Sequence, residues 1–236
     1  MSETPAPSPR TRLRRRPERG RYDEASLFAV LDAALVAHIG YLDEDQPMVT
    51  PTTFWREGRT LYWHGAAASR ILARSGSGAP VCVTVTLLDG LIVGRSGIKH
   101  SVNYRSAMVF GRARLVTGLE AKRAAMAAFL ERLYPGRTLE LRPSSDVELA
   151  QIVVAEMEIA EASVKVKAGG PLPYAPDEGW PAWTGVIPIE TRIGAPQPDP
   201  DLGVRAPGRG LSPYREGARL DEALAAAAQS GLPVSA

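Results

Sequence analysis

Between His38 and Val116 the chain reverses direction again and again. Short runs rich in Val, Thr, Leu and aromatic residues are separated by Asp43-Glu44-Asp45, Glu57-Gly58 and Asp89-Gly90, a spacing that reads as antiparallel strands joined by tight turns. His38–Leu42, Met48–Trp55 and Thr60–His64 form a meander, Val81–Leu88 and Leu91–Val93 flank Asp89-Gly90 as hairpin arms, and another arm runs from about Ser106 to Val116. Helical periodicity interrupts this only at intervals. Leu27, Val30, Leu31, Ala34 and Leu35 follow a possible cap at Asp23 and predict a helix to about Ala37. A short helix is expected over Ala66–Ser75, stopped by Gly76-Ser77-Gly78, and a longer one over Leu119–Leu133, stopped by Pro135-Gly136. Ser144 or Ser145 starts a further turn of helix to about Ile152. Val153–Val166 reads as one long strand with a single irregularity, and Trp183–Ile193 as the last strand. Strands without regular βαβ alternation predict a mainly β, α+β chain: an antiparallel barrel with peripheral helices.

The 236 residues suit one such barrel with a tail at each end. Residues 1–21 form a basic arm, 22–194 the barrel and 195–236 a Pro-rich extension, with five prolines between 196 and 213 before a loose Ala-rich helix over Leu220–Ala228. Residues 1–22 hold seven arginines against two glutamates, a net of +5, whereas the rest holds 21 Lys and Arg against 24 Asp and Glu, a net of −3. The arm, with four prolines and few apolar residues, is expected to be mobile or draped over a surface. No apolar run approaches the ~18 residues of a membrane helix, so no membrane partner is expected. Cys82 is the only cysteine, which precludes a disulfide within the chain and points to a reducing, cytoplasmic setting. The basic start lacks the apolar core of a secretory leader.

Three segments concentrate binding chemistry. Leu61-Tyr62-Trp63-His64-Gly65-Ala66-Ala67-Ala68-Ser69-Arg70 ends a strand in small residues and opens a helix with a hydroxyl and a guanidinium, groups suited to an anion although no P-loop spacing is present. Lys99-His100-Ser101-Val102-Asn103-Tyr104-Arg105-Ser106, expected between two strands, packs two cations, two hydroxyls, a phenol and the chain's only asparagine. That set fits a phosphorylated aromatic ligand. Thr50-Pro51-Thr52-Thr53 places a proline in a strand, the mark of an edge or bulge where a planar ring could lie. The histidines, His38, His64 and His100, are too dispersed to predict a metal site. A serine hydrolase is disfavoured by the lack of a Gly-x-Ser-x-Gly elbow.

In this order, with Arg12–Tyr22, Val81–Gly90, Trp183–Pro188 and Pro198-Asp199-Pro200, the segments resemble the pyridoxamine 5'-phosphate oxidase-like, FMN-binding split-barrel superfamily. The likeness is to its flavin-nucleotide-binding, nitroimidazole-reductase-like branch and covers about residues 10–202. It implies a six-stranded split barrel and a homodimer with FMN at the subunit interface. It places Val49, Thr50 and Thr52 against the isoalloxazine, with His64 and Gly65 beside it. Ser69 and Arg70 would grip the phosphate together with some of Asn103, Tyr104, Arg105 and Ser106, from the same chain or from the partner chain. Arg70 and Arg105 are thus expected to converge on one phosphate, and His64 is the expected proton-exchanging group ahead of His100 and Tyr104.

The resulting expectation is an FMN-dependent oxidoreductase of a small aromatic or nitro-bearing molecule, with NAD(P)H as a candidate donor. The alternative is a non-catalytic flavin- or haem-binding barrel. A third reading, nucleic-acid binding through the arm, is opposed by the acidic body and by the lack of aromatics before Tyr22.

Overall fold

The computed structural model describes residues 8–66, 68–75, 78–202 and 208–230. In chain order the elements are β1 (Gly20–Arg21), α1 (Glu24–Asp32), β2 (Val36–Asp43), β3 (Gln46–Glu57), β4 (Thr60–Ala66), α2 (Arg70–Ser75), β5 (Pro80–Val93), β6 (Ser101–Leu115), α3 (Leu119–Leu133), α4 (Asp146–Gln151), β7 (Ile152–Glu158), β8 (Glu161–Lys167), β9 (Gly185–Pro188) and α5 (Leu220–Ser230). All strand pairings are antiparallel. The order β6-β7-β4-β3-β2-β5 closes through a β5–β6 pairing into a ring of six strands, with β8 and β1 added on one side and β9 on the other. This is the expected split barrel.

Its core follows from strand alternation. Inward residues such as Ile39, Phe54, Leu61, Trp63, Val83, Val85, Val109 and Met157 are buried, and Leu27, Val30 and Leu31 of α1 and Ile71 and Leu72 of α2 join the same cluster. Each such aliphatic side chain contributes about 1.5–3 kcal/mol of burial. A second cluster forms outside the barrel, where Trp55 and Val154 meet Ala125 and Ala128 of α3.

The register shows where the barrel splits. Residues 46–53 of β3 pair with β2, and residues 54–57 pair with β4. The last β3–β4 pair is Phe54 with Trp63; beyond it His64, Gly65 and Ala66 pair only with β7. The two strands therefore part. Pro51 lies on the stretch of β3 with a strand on one side only, as its missing N–H predicts. Helix α2 follows β4 at this opening, its Ile71 and Leu72 in the core and Arg74 paired with Asp43 of β2.

Several expectations change. Helix α1, capped by Asp23, ends at Asp32 rather than near Ala37, because β2 begins at Val36. Asp89-Gly90 is not a turn: β5 runs unbroken from Pro80 to Val93 with an irregularity between Leu88 and Gly90. Gly90 is buried, and a Cβ there would lie 2.9 Å from the Ile187 carbonyl oxygen, so the glycine serves the close approach of β9. Likewise Ser101–Ser106 belongs to β6 and not to a polar connection. The long strand expected over Val153–Val166 is β7 and β8, bent at Ile159-Ala160, and both halves pair with β6. The last strand shortens to Gly185–Pro188. Gly76 and Ser77 of the anticipated breaker lie outside the described residues.

Both tails are held where they are described. Residues 8–21 of the arm are draped over the barrel: Thr11 is buried, Arg10 pairs with Glu161 and stacks 4.6 Å above Phe110, and Gly20-Arg21 pairs with β8. Residues 1–7 of the arm lie outside the described residues, as do 203–207 and 231–236 of the extension. Helix α5 is not loose, since Leu224 and Ala227 are buried and its Leu224 carbonyl accepts from Arg132 of α3 at 3.0 Å.

Candidate functional site

The parting of β3 and β4 sets the geometry. One lip carries Val49, Thr50 and Thr52; the other carries His64, Gly65, Ser69 and Arg70. Alternation divides the first lip. Val49 is 63% exposed on the outer face, whereas the Thr50 hydroxyl lies 3.3 Å from that of buried Tyr41. The Thr52 hydroxyl donates to the Thr53 carbonyl at 3.3 Å.

On the second lip, Gly65 has a packing reason: a Cβ would stand 3.2 Å from Leu72 Cδ1, so the glycine lets α2 settle on β4. Ser69 opens α2, its carbonyl accepting from the N–H groups of Leu72 and Ala73. Arg70 is exposed, and among the described residues its guanidinium has no hydrogen-bond or ion-pair partner. An unpaired fork beside a hydroxyl is suited to a phosphate group.

His64 turns toward α3. Its ring lies edge-on to Trp55, with centroids 6.0 Å apart, and 5.0 Å from Phe129, while Tyr62 stacks on Trp55 at 5.4 Å. Burial lowers the His64 pKa, so the neutral imidazole is favoured, and its Nδ1 is buried without a hydrogen-bond partner among the described residues. Periodicity predicted α3 but carried no signal that Phe129 would meet β4.

The second group of sequence candidates lies elsewhere, in the first half of β6. Asn103 is buried; its Nδ2 donates to the Gly169 carbonyl at 3.0 Å and its Oδ1 has no partner among the described residues. Tyr104 pairs in register with Lys167, and the Ser106 hydroxyl donates to the Lys165 carbonyl at 3.4 Å. Within one chain Arg105 does not join Arg70. Its Nη2 donates to Asp89 at 2.7 Å and to Asp221 at 2.8 Å, so the guanidinium is committed to two carboxylates within the chain. The cavity that it lines contains Asp89, Arg219 and Asp221 but neither Ser69 nor Arg70. Asp89, read in sequence as a turn residue, is the partner that sequence reasoning missed.

Among the described residues no cluster of three or more His, Cys, Asp or Glu side chains could hold a metal ion. No helix of the described residues is long and apolar enough to cross a membrane.

Residues 23–166 match the family profile described as pyridoxamine 5'-phosphate oxidase. Among solved structures, the flavocytochrome Anf3 from Azotobacter vinelandii is 41% identical, with a TM-score of 0.82 over 90% of this chain and 99% of that one. The FAD and haem binding protein from Mycobacterium smegmatis is 33% identical, with a TM-score of 0.79 over 86% of this chain and 98% of that one. A protein from Bacteroides thetaiotaomicron named for 5-nitroimidazole antibiotic resistance is 24% identical, with a TM-score of 0.51 over 62% of this chain and 86% of that one, a likeness of fold. No curated protein matches the chain.

Proposed function

The chain belongs to the pyridoxamine 5'-phosphate oxidase family, and on that premise we propose that it is a flavin-binding redox protein whose cofactor is held where β3 and β4 part. The observation that carries this reading is the exposed Arg70 guanidinium, unpartnered among the described residues, beside Ser69 at that opening. With Arg105 engaged elsewhere, one hydroxyl and one guanidinium suit a single terminal phosphate, which favours FMN. Thr50 and Thr52 would face the ring from β3, and His64, neutral and with a free Nδ1, is the group we assign to proton exchange. A flavin bound there supplies hydride acceptance at N5 and transfer of one or two electrons, to a small aromatic or nitro-bearing molecule with NAD(P)H as donor.

The purified protein should show flavin absorption, or gain it on incubation with FMN, and Arg70→Ala should weaken that binding about tenfold or more, the scale of one charge-assisted contact. Protein that stays colourless after incubation with FMN and with FAD would sink the proposal.

A second reading, haem binding, has its own support. A neutral buried imidazole with an unpartnered nitrogen is the form that ligates haem iron, and two relatives above 30% identity are named a flavocytochrome and an FAD and haem binding protein. A Soret band lost in His64→Ala would favour it.

We also propose a homodimer. Val36, Leu42, Val49 and Met108 are exposed on the outer face of β2, β3 and β6, apolar side chains that a second copy would cover.

A further inference from the structure

The draped arm, β8 and the entry to β6 enclose a cleft of about 360 Å³ whose lining is strongly cationic. Arg15, Arg16 and Arg19 come from the arm, Lys99 from the turn before β6, and Lys165 and Lys167 from one face of β8, with no carboxylate in the lining among the described residues. The ion pairs that these cations make among the described residues are long: Glu18 stands 4.0 Å from Arg16 and 3.9 Å from Arg19 and is itself exposed. Lys99 lies 3.8 Å above the Tyr174 ring, and Lys167 donates to the Ser101 hydroxyl at 2.5 Å. Among the described residues Arg15 and Lys165 have no ion-pair partner.

The arrangement is built rather than incidental. Gly20-Arg21 pairs with Lys165 and Val164 of β8, the Tyr22 hydroxyl accepts from the Leu13 N–H at 3.0 Å, and Thr11 is buried. Arg16 adopts the left-handed conformation, φ 59°, at the bend that turns the arm over the cleft. Assembling like charges this way is unfavourable unless something negative sits among them. The repulsion is felt at Lys167, whose pKa is lowered first by burial and then by Arg19 and Arg16.

One wall is apolar. Ile98 and Leu172 line it and are 76% and 57% exposed, open to contact with a ring. The cleft is also remote from the opening at α2. Ser101 lines it, whereas Arg112 of the same strand bonds Gly78 after α2. Eleven residues of strand, about 36 Å of extended chain, run between Ser101 and Arg112, and the cleft lining contains none of His64, Ser69 and Arg70.

We infer that this cleft is a second anion site, which takes a nucleoside diphosphate with its phosphates among the arm and β8 cations and its base on the Ile98–Leu172 wall. The enclosure and the apolar wall favour a small ligand over a polynucleotide track.

Calorimetric titration of the full-length protein with ADP and, separately, with inorganic pyrophosphate tests this. ADP should bind with a strong salt dependence, and Lys165→Gln with Lys167→Gln should weaken it at least tenfold. So should Arg16→Gln with Arg19→Gln. A thermal melt close to that of the unsubstituted protein confirms folding, and Lys99→Gln, on an exposed turn, gives an independent reading. Ile98→Ala with Leu172→Ala should weaken ADP several-fold and leave pyrophosphate unchanged. Flavin content should stay the same in all of these variants, and Arg70→Ala should leave ADP binding unchanged, which separates the two sites. No binding of either probe at millimolar concentration, or ADP binding that the charge variants do not alter, overturns the proposal. Binding of single-stranded oligonucleotides that tightens with length and that ADP does not displace overturns it in favour of a polynucleotide.

Discussion

At the scale of single residues, Arg105 shows how one side chain's partners decide its role. Its donors hold Asp89 on β5 and Asp221 in the first turn of α5, and Arg219 pairs with Asp221 at 3.0 Å and with Glu190 at 2.9 Å. The Arg219 hydrogen bond first, then that of Arg105, pulls the Asp221 pKa down to about 2 from its ordinary 3.8. A carboxylate depressed on folding contributes stability that is complete above its unfolded pKa and lost as pH falls through the folded one. The window therefore runs from about pH 4 down to about pH 2. With the Asp221 side chain 17% exposed, the contribution is about 2 kcal/mol at most, since one pKa unit is ~1.4 kcal/mol. Asp221→Asn should lower urea-derived stability by about that much at pH 7, and its gap from the unsubstituted protein should close as pH drops toward 2. A gap that stays constant between pH 7 and pH 2.5 would show that Asp221 is not held by this network. Sequence could mark Arg105 as a cation among donors. It could not say that its partners lay 16 and 116 residues away.

At the scale of elements, the barrel depends on strands that bend without ending. Residues 101–112 of β6 pair with β5 and residues 104–110 with β8, whereas residues 113–115 pair with β7, so the sheet turns a corner near Gly111. A Cβ on Gly111 would stand 2.4 Å from the Glu158 carbonyl oxygen and 2.6 Å from Met157 Cγ. Gly111→Ala should cost about 1–3 kcal/mol, the usual scale of overpacking. Gly170→Ala, with nothing within 4 Å, should change stability by less than about 0.5 kcal/mol. Equal denaturation midpoints for the two variants would contradict the corner. The helices were legible because capping and period act locally: Ser145 forms a capping box with Glu148, and α3 spans Leu119–Leu133 as its stripe predicts. The Asp89-Gly90 misreading has a physical cause. That dipeptide permits a tight turn but does not require one, and here β9 occupies the space where a side chain would project.

At the scale of the whole molecule, the outer face of the sheet carries the remaining question. The register sets Val49, Gly40, Cys82 and Phe110 in one row and Pro51, His38, Thr84 and Met108 in the next. If a second copy covers these rows, light scattering after gel filtration should give about 51 kDa, twice the 25.3 kDa chain. Leu42→Lys with Met108→Lys should yield a folded monomer. An unsubstituted protein that elutes as a monomer at tens of micromolar would end the homodimer proposal. The arm belongs to this scale as well, because its charge has meaning only with Lys165 and Lys167 of β8 beneath it.

What the chain determined without tertiary structure is what acts over a few residues. Period-two runs, breakers and caps settled a mainly β architecture with peripheral helices, and residue type singled out His64, Ser69 and Arg70 as chemistry-bearing. Only the tertiary structure decided which of those groups share a space. It parted β3 from β4 around Thr52 and His64, left Arg70 exposed, and closed Arg105 against Asp89 and Asp221. It also brought an arm rich in arginine against two lysines of β8 more than 140 residues later. Charge and hydrogen-bonding capacity belong to the residue, but distance between residues far apart in sequence is set by how strands pair, and pairing is a property of the closed barrel.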